Sequence, residues 1–169
     1  MKNETVARVV FIAEKDGKYK KADEVHKVAA KVIDKWHSEL AEAKIVYLFK
    51  DVKEWESKGK VVLAKTSKAP EQWQYLTDFD FVIVVNKKYW DVAPDEFREA
   101  LIDHELCHIV KEEDVKGNPK WNVANHDVEE FSGVVLRHGL WKSDLERFMS
   151  AANKQQMTLD DMASSGDHE

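Results

Sequence analysis

The stretch Asp103-His104-Glu105-Leu106-Cys107-His108 decides how the rest of the chain is read. Pro94 is a good first-turn residue, with Asp95 and Glu96 suited to the positive end of a helix dipole. Phe97, Ala100, Leu101, His104, Cys107 and His108 then follow one side of a helix, so the spacing predicts a helix from Pro94 to about Lys111 with the H-E-x-x-H pattern inside it. Four residues apart, His104 and His108 point the same way, about 6 Å apart at Cβ. Both imidazoles can then reach one Zn²⁺ at about 2.0–2.1 Å. Glu105, beside the first ligand, is placed to take a proton from a water that the ion activates.

A catalytic zinc needs a third protein ligand and one open position. The downstream candidates are His126, Glu130, Glu129 and His138. His126 leads because it stands just before a new helix, on a loop able to turn back toward the motif. Glu130 comes next and Glu129 after it, since acids in a first helical turn are favoured by the dipole alone. His138, beside Gly139, reads equally as a histidine at a helix C-terminus. Cys107 is expected as a small buried hydrophobe. Asp103 has two readings, an outer carboxylate holding a ligand imidazole or a solvated helix residue. For a developing oxyanion, a tyrosine, His138 or Arg137 is available, and none of them is singled out.

Working outward, Val25, Val28, Ala29, Val32, Ile33 and Trp36 mark an amphipathic helix over Ala22–Leu40, with His26 and His37 as ordinary flank residues. Ile45–Phe49, Val61–Ala64 and Phe79–Val85 read as strands. The run Phe81–Asn86 suggests either a core strand or a sheet edge across which a peptide could lie. Residues 6–13 fit a strand or the start of a helix. Asp127–Glu130 looks like a capping box opening a helix that Gly139 stops, and a last helix runs from about Ser143 to Ala152. The expected fold is α+β: a small mixed sheet with the Ala22–Leu40 helix on it and the motif helix beneath. Residues 1–152 are expected to form the domain and 153–169 a flexible tail.

The chain has 169 residues, 43% of them apolar and 34% charged, the profile of a soluble globular protein with a core. The six tryptophans are expected to complete that core. Cys107 is the only cysteine, so no intramolecular disulfide can form, which fits a reducing compartment. A net charge of −6 argues against a broad grip on nucleic acid. No apolar run approaches a membrane span, and the start does not read as a secretory signal. From these features a cytoplasmic protein is expected.

Ala100-Leu101-Ile102-Asp103-His104-Glu105-Leu106-Cys107-His108, His126-Asp127-Val128-Glu129-Glu130-Phe131 and Arg137-His138-Gly139-Leu140-Trp141 together resemble the phage metallopeptidase family. Ile45–Lys50 and Tyr75–Ile83 extend the resemblance over roughly residues 22–142. A wider similarity is to zincin proteases of the SprT type, in which a later histidine opens another helix and is often followed by glycine. His126 matches that histidine, whereas Asp127 replaces the glycine. The resemblance implies a zincin-like fold, a zinc peptidase acting on a peptide or protein, and a bacterial or phage-infected host cell as its setting. SprT-type domains of DNA-repair proteases often come with DNA-binding modules, and that function does not carry over, because the chain has no zinc ribbon and a single cysteine. The competing reading is a catalytically silent zinc-binding protein that docks on a host or phage partner. Glu105 separates the two, since a purely structural ion does not need that acid.

Overall fold

The computed structural model describes residues 17–126, 128, 132–140 and 143–164. The residues 6–13, read as strand or helix, lie outside them. Contacts divide the chain into two units that part between Ala124 and Asn125. The first unit runs through β1 (Tyr19–Lys21), α1 (Asp23–Trp36), a 3₁₀ segment (Ser38–Glu42), β2 (Ile45–Lys50), the small β3–β4 hairpin (Glu56–Ser57 and Lys60–Val61) and β5 (Ala64–Lys68). It continues through α2 (Glu71–Thr77), β6 (Phe81–Asn86), α3 (Lys87–Val92), α4 (Asp95–Cys107), β7 (Ile109–Glu113) and β8 (Pro119–Val123). The second unit holds α5 (Ser132–His138) and α6 (Ser143–Ser164).

The architecture is α+β. Its main sheet is mixed, in the order β1-β2-β6-β5, with β2 parallel to β6 and the other neighbours antiparallel. Side chains alternate along a strand, so the register decides which residues share a face. Ile45 pairs with Phe81, Tyr47 with Ile83 and Phe49 with Val85, while Thr66 also stands opposite Ile83. Phe81, Ile83 and Val85 are fully buried on this face. Val25, Ala29 and Val32 of α1 and Ile102 and Leu106 of α4 join the same core. The two helices lie side by side on one face of the sheet, joined by the Lys35–Glu99 ion pair and by the contact of His37 with Asp103. Trp90 of α3 closes the core against Phe49 and donates its indole N–H to Glu24.

Several expectations are corrected here. β6 is an interior strand, and β5 is the edge, so the sheet-edge reading of Phe81–Asn86 does not hold. The motif helix is shorter than expected: Ile109 and Val110, β-branched, leave the helix and open β7. The loop expected at Gly117 and Pro119 is the turn of a β7–β8 hairpin. Val61–Ala64 is not one strand but the end of β4 and the start of β5. The Ala22–Leu40 helix ends at Trp36 and passes through the 3₁₀ segment. Trp90 is core, whereas Trp36 and Trp73 are exposed.

In the second unit, Gly139 takes φ +67° and its N–H bonds the Val135 carbonyl, which ends α5 as expected. α6 continues past Ala152 to Ser164. Among the described residues no helix is long and apolar enough to cross a membrane.

Burial pushes the Tyr47 phenol well above its ordinary value of 10.0, because an ionised phenolate is disfavoured inside the core. The fold therefore holds its full Tyr47 contribution below pH ~10 and loses it as pH rises past that value, where the unfolded chain ionises first. Tyr47→Phe is expected to lose less stability than wild type between about pH 9 and pH 11, read from urea midpoints. Equal losses in the two proteins would contradict this account.

Candidate metal centre

The centre is built from the last turn of α4 and the strands beside it. Glu105 points at the sheet and is only 5% exposed. Its carboxylate Oε2 lies 2.6 Å from the Thr66 hydroxyl, which is also 2.9 Å from the Glu105 main-chain carbonyl. A hydroxyl carries one proton to donate, and the shorter, charge-assisted contact is the one to the carboxylate. Thr66 reaches it because it shares the inward face of the sheet with Ile83 and Tyr47.

With Ile102, Glu105 and Leu106 turned inward, His104 falls on the exposed flank of α4 and His108 on its half-buried end. Their rings stand edge to face with centroids 5.2 Å apart. Donor nitrogens of the two lie within 4.8 Å of each other. Two ligands of a tetrahedral zinc are about 3.3 Å apart, so small ring rotations suffice to share an ion. His108 is the cap residue of α4, not an interior position. Its main-chain carbonyl accepts from the Ala124 N–H at 2.7 Å, and its Nδ1 is 2.8 Å from the Ala124 carbonyl. A carbonyl only accepts, so Nδ1 carries the proton and Nε2 keeps the lone pair a metal requires. The C-terminal end of a helix is also its negative end, which favours a cation.

A cleft of about 430 Å³ opens beside these groups. Val61–Ala64 form one wall, and Phe97, Ala100, Leu101, His104 and Glu105 of α4 form the other. It is an apolar groove with an imidazole and a carboxylate at one end, the usual make-up of a ligand site.

The structure thus brings together His104, Glu105 and His108. His126 is the second residue of the second unit. Glu129, Glu130 and Asp127 of the expected capping box lie outside the described residues, and His138 ends α5. Cys107, expected as a buried hydrophobe, is exposed, because on a helix whose 102, 105 and 106 positions face inward residue 107 faces out. Asp103 turns toward His37 of the α1 end, with 2.6 Å between Oδ1 and Nε2. His37 is consequently not a flank residue: its side chain is 12% exposed. Sequence reasoning missed Thr66 and the Ala124 carbonyl. Nothing local marks a threonine in a strand as a carboxylate partner, and a main-chain acceptor has no residue signature.

Two histidines one helical turn apart, with a buried glutamate next to the first, are the kind of centre that metallopeptidases carry. The family described as Putative phage metallopeptidase matches residues 17–153, and the chain belongs to it. No curated protein and no solved structure gives a significant match.

Thr66→Val removes the hydroxyl from a buried carboxylate while keeping the side-chain shape. It is expected to destabilise the protein by about 1.5–3 kcal/mol in urea unfolding. An unchanged midpoint would mean that the carboxylate is satisfied elsewhere.

Proposed function

We propose that the protein is a zinc-dependent metallohydrolase, a peptidase of the zincin type, with His104, His108 and His126 as ligands and Glu105 as general base. One observation carries the reading: two imidazoles share the end of α4 while the buried carboxylate between them is held by a hydroxyl. The donor set suits zinc. Neutral imidazole nitrogens bind it well, and the Ala124 carbonyl leaves Nε2 of His108 as the donor atom.

Support for His126 comes from chain connectivity. Ala124 is bonded twice to His108, and His126 follows two residues later, so its Cα stays within about 7 Å of the Ala124 Cα. His126 therefore stands first as third ligand, Glu130 second and Glu129 third.

A zinc ion held there would act as a Lewis acid toward a scissile carbonyl and would acidify an attacking water. Glu105 accepts the proton of that water and returns it to the leaving nitrogen. Thr66 keeps the carboxylate in a single orientation during both transfers. The substrate class we infer is an extended peptide. β5 bonds to β6 along one side and is the sheet edge, so its other side offers main-chain groups for strand pairing beside the cleft. The family's description points to a bacterial or phage-infected cell, and we place the enzyme in its cytoplasm.

Glu105→Gln is expected to keep the zinc content of wild type. It is expected to slow cleavage of a mixed peptide library by about 10² or more. Zinc retention with cleavage equal to wild type would remove Glu105 from the chemistry, and zinc without cleavage in either protein would favour the silent, partner-docking reading. In metal-content assays, His126→Ala is expected to weaken zinc binding more than Glu130→Ala. The reverse order would assign the third position to the acid.

A further inference from the structure

We propose that α4 carries a second transition-metal site, formed by His37, Asp103 and Cys107 and independent of the His104–His108 centre. One donor atom from each of these three residues lies within 4.8 Å of the others. Two of them, Asp103 and Cys107, are spaced i, i+4 and so project from one strip of the helix. That strip is one residue out of phase with His104 and His108, which turns it by about 100° around the helix axis. The same helix thus presents two ligand pairs on adjacent strips.

The third donor comes from a different element. His37 is the residue between α1 and the 3₁₀ segment, and its ring is largely buried. Its Nε2 faces Asp103 at 2.6 Å, and its Nδ1 faces the Glu39 carboxylate at 3.6 Å. A metal-bound imidazole typically has a carboxylate near its other nitrogen; the Glu39 carboxylate stands on that side, 3.6 Å from Nδ1 and beyond hydrogen-bond distance. An ordinary histidine–aspartate pair accounts for the 2.6 Å contact. It does not account for a thiol on the same strip and within the same reach.

The donor set defines the class of ion. Imidazole, carboxylate and thiolate together suit borderline divalent ions such as Zn²⁺, Co²⁺ and Cd²⁺, and exclude Mg²⁺ and Ca²⁺, which take oxygen ligands. On binding, Cys107 gives its proton to solvent and coordinates as thiolate. Asp103 and His37 separate to the roughly 3.3 Å that two ligands of one ion occupy, so the ion replaces their hydrogen bond. The bound ion would clip the end of α1 to the motif helix.

Cobalt(II) is the probe, because thiolate ligation gives a charge-transfer band in the near ultraviolet. It is titrated into wild type and into His104→Ala, in which the first centre has lost a ligand. The expected result is a thiolate band that saturates at one equivalent in His104→Ala and by two equivalents in wild type, whose first centre also takes cobalt, and that is lost in Cys107→Ser, in His37→Ala and in Asp103→Asn, with helical circular dichroism retained. If His37→Ala loses its helical signal, Asp103→Asn decides. Cobalt is also expected to raise the melting temperature of His104→Ala and not that of His104→Ala/Cys107→Ser. No band in wild type, a band that disappears in His104→Ala, or a band that survives in folded Asp103→Asn would each overturn the proposal.

Discussion

A carboxylate kept against an apolar sheet must be given a hydrogen-bond partner, and much of the site follows from that constraint. Here the partner is the Thr66 hydroxyl. For Thr66 to serve, β5 must pair with β6 in the register that sets Thr66 opposite Ile83. A slip of one residue would turn Thr66 to the far face and present Lys65 or Ser67 instead. The same bond fixes the rotation of α4 about its axis. Ile102 and Leu106 enter the core with Glu105, and the motif histidines are left on the flank beside the cleft. The direction of the imidazoles is thus a consequence of where a glutamate and a threonine meet.

The β7–β8 hairpin supplies the second support. Trp121 packs its ring against Phe81, its carbonyl accepts from Lys68 Nζ at 2.5 Å, and Lys111 lies over its face. These contacts anchor the hairpin to the inward face of the sheet. Its turn is closed by Asp114, whose carboxylate accepts from the main-chain N–H groups of Lys116 and Asn118 and from the Asn118 side chain. The Asn118 bonds, and then that of Lys116, hold the Asp114 carboxyl below its ordinary range. Gly117, at φ +79°, supplies the left-handed backbone that the turn requires.

Much of this was readable in the sequence wherever one physical signal dominated. α1 announces itself by a long helical period, β2 and β6 by dense β-branched and aromatic runs, and the histidine pair by its spacing. The end of α4 was hidden because Ile109 and Val110 fit a helical stripe as well as a strand, and neither glycine nor proline stops the helix there. β5 was hidden for the opposite reason. Ala64-Lys65-Thr66-Ser67-Lys68 has almost no apolar side chain, and its role is to present one hydroxyl and an edge. His37 gave no sign of its burial, since what covers it arrives from α4, 66 residues later.

The two hydrogen bonds between His108 and Ala124 tie a side-chain tautomer to the final rung of a hairpin. When the exit of β8 frays, the Nδ1 proton loses its acceptor in the same event. Imidazole orientation and local hairpin opening therefore share one equilibrium. Anything that binds only the closed form holds the hairpin shut by RT ln(1 + [L]/Kd), about 2.7 kcal/mol at a hundredfold excess over Kd. The amide of Ala124 becomes a reporter of occupancy, since its exchange with solvent slows whenever the neighbouring imidazole is engaged.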